Sequence, residues 1–473
     1  MPLFSIPLSG LDAASTAMSA IANNLANLNT TGYKGSDTQF NDLFYQTLGL
    51  NGSGDPIQVG AGTGVSATSS NMKSGSVEST GVPTDVAIMG DGFFVVQQGA
   101  TTYYTRAGNF SVASDGSLQT PNGQQVMGYA AVNGAIPAGG ALAPLEISQG
   151  QVNAPSATTT VQLLTNLDAS AALGATPLST PVTVYDSLGT AHVLDFSFTK
   201  TAAGAWNCNI TIPNSDLTPP AAWQASTAYS VGQMISPSSA NGHFYQCTVA
   251  GTSAATAPAS WPTDGSSFTD GTVTWQDMGT QSTIATEALT FDSSGKLTTP
   301  TGDISGITAS GLADGAANLT FQWDLYNSAG TPQLTQVAGS STTSSTSQDG
   351  FGSGTLTGYN IGSDGTINGT FSNGRTAALG QIALANFANT QGLERVGNND
   401  FAATLASGSA SVGTPGTGGV GTVSGGSLEL SNVDIATEFS ALIVAQRDYE
   451  ANARTITTFD QVMQDTINLK STA

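Results

Sequence analysis

The stretch Leu11-Asp12-Ala13-Ala14-Ser15-Thr16-Ala17-Met18-Ser19-Ala20-Ile21-Ala22-Asn23-Asn24-Leu25-Ala26-Asn27-Leu28 places Leu11, Ala14, Met18, Ile21, Leu25 and Leu28 at spacings of 3, 4, 3, 4 and 3. That period is the seam of an α-helix packed on a partner. The stripe stops at Asn29-Thr30-Thr31-Gly32, where glycine supplies a left-handed C′ residue and the threonines disfavour continuation. A second, longer stripe runs through Ile435, Phe439, Leu442, Gln446, Tyr449, Ala453, Ile456, Asp460, Met463 and Ile467. Asn432 or Asp434 is its expected N-cap, with Glu438 near the positive end of the helix dipole. Between the stripes, short or alternating apolar runs are separated by turn dipeptides: Asp91-Gly92, Asp115-Gly116, Asn122-Gly123, Asn133-Gly134, Ser294-Gly295, Asp364-Gly365, Asn368-Gly369 and Asn373-Gly374. These punctuate β-hairpins. The expected fold is mainly β with terminal α-helices, nested so that both halves of the chain build shared layers.

The runs 85–98 and 379–387 are the most apolar, which makes them the expected core strands of one domain assembled from both halves. The layout that follows has a helical domain (1–31 and 432–473), an extended linker region (32–71), an inner β domain (72–150 and 351–428) and an outer β domain (151–350). Low-complexity stretches at 49–64, 154–160, 339–347 and 413–426 read as linkers or exposed loops. No Lys or Arg occurs between Lys200 and Lys296. Inside that gap, after Pro219-Pro220, residues 219–281 read as an inserted small module.

The 473 residues include 10 Lys and Arg against 32 Asp and Glu, a net charge of −22, and only 9% are charged. Phosphate backbones need a clustered cationic footprint, so nucleic acid is excluded as a partner and anionic membrane surfaces nearly so. No apolar run approaches a membrane span, and the N-terminus lacks the basic region of a signal peptide. Export without a cleaved signal is the expectation. Two cysteines, Cys208 and Cys247, and two histidines, His192 and His243, are too few for a disulfide framework or a Cys/His zinc site. Both cysteines read as small buried thiols, with a bridge the minority alternative. There is no nucleophile elbow and no P-loop. Gly416-Thr417-Gly418-Gly419-Val420-Gly421 fits G-x-G-x-x-G but has no helix after it. No residue is assigned as catalytic, cofactor-binding or metal-ligating, and His192 reads as a packing or hydrogen-bonding residue.

Three of the five tryptophans, Trp223, Trp261 and Trp275, fall in the insert beside Tyr229 and Tyr245. A module of this size needs large side chains to build a core at all, while aromatic faces also stack on sugars. The spacing from Ala222-Trp223 to Val273-Thr274-Trp275 resembles small carbohydrate-binding modules of chitinases and phage tail proteins. That resemblance makes the three tryptophans candidate glycan contacts.

The terminal motifs carry a more specific resemblance. The run from Ala22-Asn23-Asn24 to Gly32-Tyr33-Lys34 resembles the N-terminal signature of bacterial flagellar rod and hook axial subunits. Leu428-Glu429-Leu430-Ser431-Asn432-Val433-Asp434 and the run from Gln446-Arg447-Asp448 to Asn452-Ala453 resemble the other end of that family. Val184-Tyr185-Asp186-Ser187-Leu188-Gly189 and Gly380-Gln381-Ile382-Ala383-Leu384-Ala385-Asn386-Phe387 resemble hook subunits, where a rod subunit is shorter. The resemblance implies a non-enzymatic homopolymer subunit of a curved tube that passes motor torque to the filament. Its implied partners are the rod, hook cap, hook-filament junction proteins and type III export apparatus. It implies family-signature roles for Asn23, Asn24, Asn27, Gly32, Ser431, Asn432 and Asp434. The assembly seam then comprises Leu11, Met18, Ile21, Leu25, Leu28, Ile435, Phe439, Leu442, Tyr449, Ile456, Met463 and Ile467. The competing expectations are a distal rod subunit, a secreted carbohydrate-binding adhesin and an extracellular glycosidase. Three asparagines in the first helix cost it about 2 kcal/mol relative to alanine, so it needs neighbours to fold stably.

Overall fold

The computed structural model describes residues 4–148 and 150–471. The chain divides into two compact units, residues 1–151 with 356–473, and residues 152–355.

The first unit holds both helices, α1 (Ser5–Ala26) and α2 (Ile435–Ser471), packed along one another. The contact is made by small side chains. Ala13, Ala14 and Ala445 are buried, and a Cβ built on Gly10 would lie 2.7 Å from the Asn452 amide. α1 ends at Ala26 with Asn27 as C-cap, earlier than the stripe implied. Leu28 therefore lies beyond the helix, and Gly32 is not its cap. Asn27 marks the early end: its Nδ2 donates back to the Asn23 carbonyl at 2.9 Å and its Oδ1 accepts from Thr30 Oγ1 at 3.2 Å, a local turn in place of further helical bonds. At the other terminus Asp434 is the N-cap, its Oδ1 accepting from the Thr437 amide at 2.7 Å.

Residues 32–71 are not an extended linker. Ser36–Asp42 pairs antiparallel with Thr63–Ser70, and Gln46–Leu50 with Pro56–Val59. The low-complexity stretch 49–64 is thus part of a hairpin. Next comes an antiparallel sheet in which Thr366–Phe371, Thr376–Ile382, Gln125–Ala130, Phe93–Gln98, Thr101–Thr105 and Asp400–Ala402 are neighbours in that order. The two expected core strands supply its centre: Phe94 and Val96 face one cluster with Ile382 and Leu384, and Phe93 and Val95 face another with Ala385 and Phe387. Stretch 413–426 also departs from expectation. Thr422–Gly425 pairs with Val86–Met89, and Val420 and Val423 join the core. Of the turn dipeptides, Asn133-Gly134 has φ of 52° and 74°, the paired left-handed geometry of a tight hairpin turn. Asn368-Gly369 instead lies inside strand Thr366–Phe371.

The second unit is a β-sandwich. Leu178–Tyr185, Ala191–Ala202, Ala205–Pro213, Gln281–Phe291 and Leu297–Thr299 form one antiparallel sheet. The facing sheet centres on Thr160–Asp168, flanked by parallel Leu319–Asp324 and Leu334–Val337 and by antiparallel Thr342–Gln348. Along Ala205–Pro213 every second residue is buried, so Trp206, Cys208, Ile210 and Ile212 meet Phe321 and Trp323 of the other sheet in one core. Strand Thr342–Gln348 is nearly all Ser and Thr. It earns its place through backbone pairing at the sheet edge rather than apolar burial, which is why stretch 339–347 passes for a loop in composition.

Between Ala205–Pro213 and Gln281–Phe291 the insert folds around its own core of Trp223, Tyr229, Ile235, Tyr245, Cys247, Val273 and Trp275. Its four-stranded sheet orders Met234–Ile235, Tyr245–Val249, Val273–Asp277 and Ser267–Asp270.

Candidate functional site

The family-signature residues converge where the two helices meet the β layers of the first unit. Asn24 is 1% exposed, and its amide treats Ser36 as a strand neighbour would. Oδ1 accepts from the Ser36 amide and Nδ2 donates to the Ser36 carbonyl, both at 2.9 Å. Nδ2 also donates to Glu438 Oε1 of α2 at 2.9 Å. The Tyr33 hydroxyl donates to Asn24 Oδ1 at 3.3 Å and accepts from Asn23 Nδ2 at 3.1 Å. Asn27 donates back to the Asn23 carbonyl at 2.9 Å. From the other end of the chain, Asn432 Oδ1 accepts from the Gly35 amide at 2.8 Å, while its Nδ2 donates to the carbonyls of Asn71 and Lys73 at 2.7 and 2.9 Å. Ser431 Oγ accepts from the Val433 amide at 3.3 Å. Asparagine suits these positions because one side chain offers both an acceptor and two donors and can stand in for a peptide.

Gly32 donates its amide to the Glu429 carbonyl at 2.7 Å, has φ of +68°, and would place a Cβ 2.6 Å from the backbone of Arg106. Gly32→Ala is expected to destabilise the first unit by about 1–3 kcal/mol, measured by urea unfolding. Asparagine tolerates this φ but still carries a Cβ, so Gly32→Asn should lose comparable stability. Full stability in Gly32→Asn would leave φ alone as the constraint.

Beneath the asparagines lies a charged knot. Lys34 Nζ is 2.5 Å from Glu429 Oε1 and Arg106 Nη1 is 3.3 Å from Glu429 Oε2, all three side chains being at most 3% exposed. Glu429 Oε1 also accepts from the Gly75 amide at 2.8 Å. Lys34 donates to the Lys73 carbonyl at 2.9 Å, and Arg106 Nη2 to the Gly90 carbonyl at 2.8 Å. Burial pulls the pKa of both cations down, and the Glu429 carboxylate opposes that pull. Arg395 closes the rim, donating to the Lys34 carbonyl at 2.5 Å and to Ser70 Oγ at 3.0 Å, with its guanidinium 5.5 Å from the centre of the Tyr33 ring. Burial raises the Glu438 carboxyl, against the lowering effect of Asn24.

Lys34 and Glu429 fall inside the terminal motifs but have no role assigned from sequence, and Arg106 and Arg395 go unmarked there. The available signal was scarcity: three of only ten basic residues meet here. Nothing local in the sequence marks Arg106 and Arg395 as neighbours of the signature.

Of the seam residues, Leu11, Met18, Ile21, Leu25, Leu28, Leu442 and Ile456 are half-buried, while Ile435, Phe439, Tyr449, Met463 and Ile467 are exposed. The large apolar side chains of α2 thus stay largely outside the contact between the two helices, which alanines make. Phe439 is 52% and Ile467 63% exposed, and Ile443, Val444 and Val462 add to the uncovered surface. The hairpin region adds Phe44, at 95% exposure, with Tyr45 and Leu48.

Two of the three tryptophans correct the glycan expectation. Trp223 and Trp275 are buried core residues, their indole N–H groups both directed at Asp270 Oδ2, at 2.7 and 3.4 Å. Neither offers a face to a sugar. Trp261 is half-buried, tilted against Tyr245 and edge-to-face with Phe268. Cys208 and Cys247 are buried free thiols, and burial raises both pKa values. Among the described residues no helix is long and apolar enough to cross a membrane.

Helices drawn from both termini and locked by a shared polar junction onto the β layers of the first unit define an axial subunit of the bacterial flagellum. Residues 6–34 match the flagella basal body rod protein family and residues 424–469 the C-terminal domain of the flagellar basal body rod FlgEFG proteins. Residues 87–165 match the D1 domain of flagellar hook protein FlgE/F/G, and residues 156–351 the flagellar basal body protein FlaE D2 domain. The chain is 32% identical to flagellar hook protein FlgE of Escherichia coli, over 99% of this chain and 100% of that one. It is 33% identical to FlgE of Salmonella typhimurium over the same shares, and 32% identical to FlgE of Treponema pallidum over 98% of each. The chain belongs to the flagellar hook protein FlgE family, and it is a structural subunit of the flagellar hook.

Proposed function

We propose that this subunit polymerises outside the cell into a flexible curved tube, with α1 and α2 forming the inner wall and the β units the outer layers. The observation that carries this is the apolar surface of α2, which the subunit's own fold leaves uncovered. A helix that exposes Phe439, Val444, Val462 and Ile467 holds apolar area that contact with further subunits removes from water. The subunit acts by assembly rather than by chemistry. Rod, hook cap and hook-filament junction proteins are its axial neighbours, and the flagellar type III apparatus exports it. The test is a truncated chain lacking residues 1–31 and 432–473. It should keep its β units folded by circular dichroism and form no polymer; polymerisation of the truncated chain would overturn the proposal.

The insert is a separable decoration in this scheme. Ala205–Pro213 and Gln281–Phe291 pair along their length, with Pro213 opposite Gln281, so the strands close without it. Replacing residues 219–278 by a short glycine-containing turn is expected to leave the sandwich folded and hooks assembled, as read by thermal melting and electron microscopy of motile cells.

A further inference from the structure

The sandwich unit contains a group of side chains that its packing does not require. His192 is buried, with Nδ1 3.1 Å from Asp216 Oδ2 and Nε2 3.2 Å from Asp186 Oδ2. A neutral imidazole has one proton. In its neutral form, with Nδ1–H donated to Asp216, His192 turns its Nε2 lone pair toward Asp186, the form in which it can ligate a metal. Asp186 is fully buried; its Oδ1 is occupied by the amides of Leu188 and Thr190 at 2.8 and 2.9 Å, which leaves Oδ2 aimed at the imidazole. Asp314 supplies a third donor from an exposed loop. The ligand atoms of Asp186, His192 and Asp314 all lie within 4.8 Å of one another. Two carboxylates, of Asp186 and Asp314, thus face the same point as the imidazole.

We propose that Asp186, His192 and Asp314 bind a divalent cation of the Zn²⁺ class, with Asp216 as the positioning residue that holds the His192 tautomer. A metal-bound histidine whose other ring nitrogen donates to a carboxylate is the usual support for such a ligand. One nitrogen and two carboxylate donors suit Zn²⁺ better than the all-oxygen shells of Ca²⁺ or Mg²⁺. Scarcity of Cys and His argues against a structural zinc site of the Cys/His kind, but a site with two carboxylates needs one histidine and no cysteine. The ion would clamp the root of the insert. Asp186 lies in the turn before strand Ala191–Ala202, and Asp216 lies three residues before the insert begins. The loop carrying Asp314 is tied to Asp216 by the Ala313 amide at 3.0 Å.

The experiment titrates Zn²⁺ into the tag-free, metal-stripped full-length chain by calorimetry in 0.15 M NaCl with excess Mg²⁺, alongside thermal melting. One equivalent should bind and raise the melting temperature, with EDTA reversing the shift. Asp314→Ala removes an exposed ligand without disturbing the core and should weaken binding at least tenfold. Asp216→Asn should weaken it by about 10–100-fold. The imidazole resonances of His192 should shift on adding Zn²⁺. Absence of saturable binding, or binding of equal affinity in parent and both variants, would overturn the site. So would a His192 that titrates with protons but is unaffected by Zn²⁺.

Discussion

Glu429→Leu is expected to cost the first unit about 3–5 kcal/mol, because it leaves Lys34 and Arg106 buried without their salt-bridge partner. Both cations are at most 3% exposed, and neither reaches another carboxylate at salt-bridge distance among the described residues. The substitution also frees the Gly75 amide, which donates to Glu429 Oε1. Of an unfolding free energy typically of 5–15 kcal/mol, that is a large share, and the urea midpoint should fall accordingly. The triple variant Lys34→Met, Arg106→Met, Glu429→Leu provides the contrast. It removes all three charges and should recover much of the loss, since a well-packed apolar replacement of a buried ion pair is often neutral. If the single variant is as stable as the parent, the knot does not hold the junction. A mild single loss with a severe triple loss would place the energy in packing of the long side chains instead.

The second large effect concerns assembly. Phe439→Asp or Ile467→Asp should abolish hook formation while leaving the isolated subunit's stability within about 0.5 kcal/mol, as for other surface substitutions. Both side chains are exposed in the subunit, so the fold has little to lose. In a polymer each substitution buries a carboxylate on an apolar contact. A penalty of about 3 kcal/mol per subunit raises the concentration needed for polymerisation roughly a hundredfold. Electron microscopy of cells carrying either variant should show basal bodies without hooks, and the cells should not swim. Normal motility with both variants would remove α2's uncovered face from the assembly surface. Ala445→Asp is the counterpart: Ala445 is buried among α1 and α2, so this variant should disturb the helix pair in the isolated subunit as well.

Several elements were legible because the information is local. A stripe of period 3.5 marks a helix whatever it packs against, so both terminal helices and their placement at the chain's ends follow from spacing alone. Paired left-handed residues at Asn133-Gly134 mark a tight turn for the same reason. Alternation along Ala205–Pro213 marks a strand with one buried face. The terminal signature was legible by resemblance, and the family follows from it.

Other features were decided only when distant segments met. Glu429 is 395 positions from Lys34, and no local pattern announces that a lysine will be buried against it. Helical spacing identifies an apolar face but not its occupant. Here alanines take the partner within the chain, and the larger side chains of α2 remain for other contacts. Thr342–Gln348 has the composition of a loop, yet it is a strand because Thr160–Asp168 presents an unpaired edge to it. Trp223 and Trp275 carry the same side chain whether they build a core or grip a ligand, and their burial, with Asp270 accepting from both indole N–H groups, settles which. Sequence by itself determined the periodicities, the turns and the family, all of which depend on neighbours within a few residues. Partners, register and burial depend on which surfaces exclude water together, and only the tertiary structure decides that.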